Sequence, residues 1–201
     1  MHGTLGAMLS VLLASRSPRR RQLLRLLEPR FRRSTARIPE TPRAGESPEA
    51  CATRLARAKA VAVAARLNGS SRRRTIVLGA DTIVAVGNRI LGKPRDGKEA
   101  RAMLASLSGK RHRVVTAVAV WRGPDKKVFA ARAVTHVRFR RLTLAEIAAY
   151  VATREPMDAA GAYQIQGGAA SFIRRIQGSY TNVVGFPLGL VARLLARARR
   201  A

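Results

Sequence analysis

Strand-type and helix-type runs alternate along this chain from one end to the other, and no other feature of the sequence restricts the fold as tightly. Residues 9–14 read as a buried strand. Ser17 is placed to cap a following helix, Pro18 suits its first turn, and Leu23, Leu24, Leu26 and Leu27 give it an apolar stripe. A short strand over 31–38 leads into the turn-rich stretch PETPRAGESPEA. Ser47 and Pro48 open a second helix, carrying Leu55, Ala58, Ala62 and Ala65, that ends near Asn68-Gly69. TIVLGADTIVAV (75–86) shows β-branched runs interrupted by Gly79 and Asp81, and Gly87-Asn88 turns the chain back through RILGKP. GKEARAMLASL predicts a third helix, 113–121 and 128–139 two strands, and TLAEIAAYVA a fourth helix. A glycine-rich stretch, a short strand near 171–176 and a helix from Pro187 complete the pattern. Such alternation defines the α/β class.

The 201 residues suit one domain over 9–198, or two lobes about one core, after a short extension at 1–8 in which Met8 is an alternative start. One cysteine, Cys51, leaves no intrachain disulfide and no cysteine-based zinc site, which fits a reducing compartment. No run approaches the roughly 18 apolar residues of a membrane span, so a cytoplasmic protein is expected. Lys and Arg number 39 against 11 Asp and Glu, for a net charge of +28. That balance favours anionic partners. The basic residues are nevertheless spread from Arg16 to Arg200, and aromatics make up only 4% of the chain. Direct nucleic-acid binding therefore lacks a stacking platform, and an arginine-biased surface that binds polyanions weakly is the better match.

Four short stretches bear on the chemistry. SRSPRRRQLL (15–24) places Arg19 and Arg20 in the first turn of a helix, where cations oppose the helix dipole unless an anion faces them. Asp81 stands in an apolar strand, a costly position for a charge that is neither paired, metal-bound nor catalytic. GNRILGKP (87–94) matches the spacing of a P-loop, but Pro94 occupies the place of the magnesium-binding hydroxyl, so the P-loop is rejected. Lys93 remains a point charge for phosphate. The stretch AGAYQIQGGAASF reads by itself as a tight loop, in which Gln166 carries an amide that both donates and accepts, as reading a base edge requires.

Taken in order, LASRSPRR (13–20), IPET (38–41), RLARAKA (54–60), GADTIV (79–84), LGKPRD (91–96), LSGKRHRVVTAVAV (107–120) and the stretch 155–188 resemble the Maf family of nucleoside triphosphate pyrophosphatases. The resemblance covers nearly the whole chain, from about Leu12 to Leu195. It implies a Maf/ITPase-like α/β fold, a mixed central sheet with flanking helices and two lobes around an active-site cleft. It also implies a nucleoside triphosphate substrate split between its α and β phosphates, a divalent cation (Mg²⁺ or Mn²⁺), and a homodimer.

Residue by residue, Asp81 matches the family's proton acceptor, and Glu40 matches a polar position of the cleft from which it would help Asp81 hold the metal. Arg19, Thr82 and Gln166 match the positions that select the base in the branch acting on dTTP and UTP. The branch acting on 7-methyl-GTP typically has Trp, Gln and Glu there. Ser15, Arg20, Lys59 and Lys93 match polar positions that line the cleft. The chain departs from the family pattern at Ala159, usually Lys, and at Gln164, usually Gly. Two rival expectations stand beside this one. They are a pyrophosphatase for modified nucleotides or 7-methyl-GTP, and a polyanion-binding protein of septum or division control with faded catalysis.

Overall fold

Four of the five residues of β1 (Ser10–Ala14) are buried in the computed structural model, which describes residues 9–200. The expected extension over 1–8 lies outside the described residues. The chain then forms α1 (Pro18–Arg25), whose cap Ser17 accepts a hydrogen bond from the Arg20 backbone N–H, as the serine-proline pair predicts. β2 (Phe31–Ser34) ends four residues earlier than the sequence suggests. α2 (Pro48–Ala64) is capped by Ser47, and a short α3 (Gly69–Arg73) follows. β3 (Thr75–Val86) is continuous for 12 residues, so neither Gly79 nor Asp81 breaks it. Then come β4 (Arg89–Leu91), α4 (Gly97–Leu107), β5 (Arg111–Arg122), β6 (Val128–Phe139) and α5 (Leu144–Ala152). Three 3₁₀ turns between 155 and 172 precede β7 (Ile173–Gln177), α6 (Tyr180–Val184) and α7 (Leu188–Arg200). The short helices α3 and α6 hold five residues each, too few to show an apolar period in sequence.

The seven strands of the described residues join one mixed sheet in the order β2-β1-β3-β5-β6-β7, with β4 also on β3. β1 runs parallel to β2 and β3, and the other pairs are antiparallel. One edge of β3 bonds β5 from Ile76 to Ala85. The other edge is divided: β1 bonds Thr75 to Leu78, and β4 bonds Val84 to Val86. Between them, Gly79–Ile83 have no partner strand on that side. β1 with β2 lies on one side of this gap, and β4, leading into α4, lies on the other.

α2 covers one face of the sheet, packing Ala52, Leu55, Ala56 and Val63 on Leu12, Val77, Val115 and Trp121. α1 and α7 cover the opposite face through Leu24, Leu190 and Leu194. α4 and α5 close the far end around Val84, Leu91, Phe139 and Tyr163. α2 and β3 meet backbone to backbone: a Cβ on Gly79 would stand 2.3 Å from the Ala56 carbonyl oxygen and 2.7 Å from the Ala60 nitrogen. That approach sets the distance between α2 and the neighbouring Asp81.

His112 is buried among Phe139 and Tyr163, its Nε2 2.9 Å from the Tyr163 hydroxyl and its ring edge-on to Phe139. Burial pushes its pKa down to about 4.

Gly79→Ala should lower stability by about 1–3 kcal/mol or more, because α2 must move off the sheet; thermal unfolding measures the loss. His112 should also make the protein acid-sensitive. Its folded pKa lies below the ordinary 6.5, so the unfolded chain takes up the proton first. Stability contributed by neutral His112 should therefore fall as pH drops from about 6.5 towards about 4. Denaturant titrations over that window should show a shallower fall for His112→Phe.

Candidate active site

The gap in β3 is filled by an arginine. Arg20 Nη1 donates to the carbonyl of Ala80 at 2.8 Å, a group that would bond a strand if one were there. Its Nε donates to the Gly185 carbonyl at 2.9 Å and its Nη2 to Thr82 Oγ1 at 3.0 Å. Three of the five guanidinium N–H bonds are thus spent on the fold, and two remain for a ligand. The Thr82 hydroxyl lies 3.0 Å from Thr116 Oγ1, and Thr116 in turn donates to the Asn182 carbonyl at 3.1 Å. Gly185 takes a left-handed φ of 106°, which aims its carbonyl back at Arg20 and Thr82.

Side chains alternate along a strand, so Asp81 leaves β3 on the face opposite Thr82. It meets α2 there. Lys59 Nζ donates to Asp81 Oδ1 at 2.7 Å and lies 3.0 Å from Glu40 Oε1. Asp81 and Lys59 are both buried, whereas Glu40 is exposed at the cleft mouth. Burial raises the Asp81 pKa above the usual carboxylate value, and the positive charges of Lys59 and Arg20 restrain that rise. The result is a carboxylate more basic than an exposed one, held in place by an ammonium.

Arg19 turns the other way from Arg20. Its Nη1 donates to Gln164 Oε1 at 2.8 Å and its Nη2 to the Asp158 carbonyl at 3.1 Å, tying α1 to the segment between α5 and β7. Asp158 also forms an ion pair with Lys93 at the rim. Arg19, Thr82, Gln164 and Gln166, with Tyr163 behind them, line a cavity of about 50 Å³. A second cavity of about 670 Å³ adjoins it, sharing Arg19 and Thr82, and reaches Ser15, Arg20, Glu40, Lys59, Asp81 and Lys93.

Every site residue expected from the sequence therefore lies in one of two connected cavities. Asp158, Gln164, Thr116 and Gly185 join them unforeseen as partners. Gln164 had a signal in sequence only as a side chain at a position where glycine is usual. The bonding of Thr116 and Gly185 comes from the tertiary fold and left no local signal. Among the described residues no group of three or more His, Cys, Asp or Glu gathers to hold a metal ion, and no helix is long and apolar enough to cross a membrane.

An α/β protein with a basic, carboxylate-bearing cleft at the interrupted edge of its central strand is the class these features define. Residues 10–198 match the family described as Maf-like protein. The chain belongs to the Maf family. It is 47% identical over 190 residues to a protein of Pelotomaculum thermopropionicum named dTTP/UTP pyrophosphatase, covering 94% of this chain and 97% of that one. It is 51% identical over 187 residues to a protein of the same name from Geobacter sulfurreducens, covering 93% and 95%. A solved HAM1 protein of Coxiella burnetii aligns over 94% of this chain and all (100%) of its own, with 15% identity and a TM-score of 0.46.

The two adjacent arginines should separate on mutation. Arg20→Ala should lower the melting temperature, because it leaves the Ala80 and Gly185 carbonyls without their donor, a loss of about 1–3 kcal/mol for each such group that stays dry. Arg19→Ala should leave the melting temperature near the wild-type value and act on KM instead. Thermal unfolding and steady-state kinetics on the two variants check both halves.

Proposed function

We propose that this protein hydrolyses dTTP and UTP to the monophosphate and pyrophosphate. One observation carries the reading: Arg19, Thr82 and Gln166 surround a small cavity that opens into a larger one holding Asp81, Lys59 and Glu40. The names of relatives about half identical over nearly the whole chain support the same reading.

In this reading the base enters the small cavity and the triphosphate lies in the large one. Arg19 offers only donors, which suits the ring carbonyl of thymine or uracil and opposes the amino group that cytosine carries there. Gln166 both donates and accepts, matching the imide edge those two bases share. Thr82 keeps that side of the pocket small. The two free N–H bonds of Arg20, with Lys59 and Lys93, offset the charge of the phosphates.

Asp81 accepts the proton of a water that attacks the α-phosphorus; the new P–O bond forms as the bond to the bridging oxygen breaks and pyrophosphate leaves. Asp81 Oδ1 and Glu40 Oε1 both approach the Lys59 ammonium, and two hard oxygen donors brought this close together would suit Mg²⁺ or Mn²⁺. A divalent cation held by this pair would supply positive charge beside the phosphates and a more acidic water. Lys59 holds the two carboxylates together and orients Asp81 towards the cleft.

Asp81→Asn should reduce kcat about 10²- to 10⁴-fold while nucleotide still binds, as pyrophosphate release and calorimetry would show. A near-normal kcat would move the proton acceptor elsewhere, with Glu40 next. On a nucleotide panel, kcat/KM should be highest for dTTP and UTP, lower for CTP and poor for 7-methyl-GTP. A preference for 7-methyl-GTP over both pyrimidine nucleotides would overturn the base assignment and leave the family intact.

A further inference from the structure

We propose that Gln164 determines specificity by positioning Arg19, so that the donor face of Arg19 is presented to the base pocket in one fixed orientation. The inference rests on the reading of Arg19 as a base-selecting residue.

Both ends of the Gln164 carboxamide are engaged. Its Oε1 accepts from Arg19 Nη1 at 2.8 Å, and its Nε2 donates to the Glu155 carbonyl at 2.8 Å. Because a backbone carbonyl can only accept, the nitrogen end must face Glu155 and the oxygen end must face Arg19. The amide cannot flip without losing both bonds. Its backbone is held as well. Gln164 N–H donates to the Tyr150 hydroxyl at 3.1 Å, Tyr150 donates to Glu155 Oε1 at 2.7 Å, and Glu155 Oε2 accepts the Gly168 N–H at 3.0 Å. Gln164 is thus the end of a network anchored on the buried ring of Tyr150, and it hands that rigidity to a long arginine side chain.

Without Gln164, Arg19 keeps a single bond, to the exposed Asp158 carbonyl. A guanidinium on a flexible stem then regains rotamers and can turn away from a base that offers it no acceptor. The site would bind thymine and uracil less well and would no longer exclude cytosine by a fixed donor. This is a selectivity effect at the base, 145 residues along the chain from Arg19, and it leaves the proton transfer at Asp81 untouched.

The test measures kcat and KM separately for dTTP, UTP and CTP on wild type, Gln164→Met, Gln164→Glu and Arg19→Ala, with thermal unfolding on each. Gln164→Met keeps the length of the side chain and removes both bonds. It should raise KM for dTTP and UTP roughly 10-fold, with a much smaller change in kcat, and narrow their preference over CTP by a similar factor. Gln164→Glu restores an acceptor for Arg19 while losing the bond to Glu155, and it should recover at least part of the preference. Calorimetric binding of dTTP and CTP to Asp81→Asn, with and without Gln164→Met, reads the same ratio without turnover.

A Gln164→Met enzyme that keeps the wild-type preference while Arg19→Ala loses it overturns the inference alone. So does a Gln164→Glu enzyme that loses the preference as fully as Arg19→Ala, and this variant decides the matter if Gln164→Met does not fold. A uniform fall in kcat on all three nucleotides also overturns it, since that marks a structural role. If Arg19→Ala keeps the preference, the reading of Arg19 falls and the inference falls with it.

Discussion

A strand that loses its neighbour halfway along must find other partners for its backbone, and the molecule is arranged around that requirement. β3 runs through the middle of the sheet, yet Gly79–Ile83 are bonded to a strand only on the β5 side. An unpaired carbonyl in a buried setting is unfavourable unless something donates to it. Arg20 donates to Ala80, and in doing so it brings the first turn of α1 to the place where β1 stops. The crevice therefore lies outside the carboxyl end of β1, as open sheets with parallel strands arrange their ligand sites. Its walls are held by contacts the fold already needs.

With only 11 acids against 39 basic residues, the placement of each carboxylate carries information. Most are used as local fastenings. Glu46 binds Arg54, Glu146 binds Arg140, and Asp96 caps α4. The hydrogen-bonded ion pair with Arg54 holds Glu46 down to about 2, and the Arg140 contact does the same for Glu146. Asp81 is the contrast. Burial moves it upward instead, and its partner is a buried lysine that also contacts Glu40. A carboxylate placed there is less stable as an anion than its exposed counterparts, which is a poor choice for a fastening and a useful one for accepting a proton.

Much of this was legible in the residues. The alternation of elements gave the α/β class, Ser17-Pro18 and Ser47-Pro48 marked two helix starts that the structure keeps, and Asp81 stood out as a charge in an apolar strand. Where the local reading erred, a tertiary contact was responsible. Gly79 looks like a break because glycine weakens a strand, but here it admits the backbone of α2. Arg19 and Arg20 look alike in sequence as two cations at a helix start. Only the fold shows that one reaches back to β3 and the other across to Gln164, so that protein carbonyls and an amide meet part of the charge that sequence reasoning reserved for an anion. Partnerships spanning 60 to 165 residues leave no periodic trace for a local pattern to find.

The two adjacent pairs, 19 with 20 and 81 with 82, explain how one small region can serve two purposes. On a strand, successive side chains point to opposite faces, so Asp81 reaches α2 and Lys59 while Thr82 reaches Arg20 and the small cavity. On the first turn of a helix, successive side chains are about 100° apart, so Arg20 reaches the strand edge while Arg19 reaches the opposite wall. Each pair therefore contributes one residue to the side of the cleft that holds the carboxylates and one to the side that holds the small cavity, or links the two. A shift of register by a single residue in either element would exchange those assignments. The close packing of Gly79 on α2 and the three bonds of Arg20 hold both registers, and thereby keep the distance between the two cavities fixed.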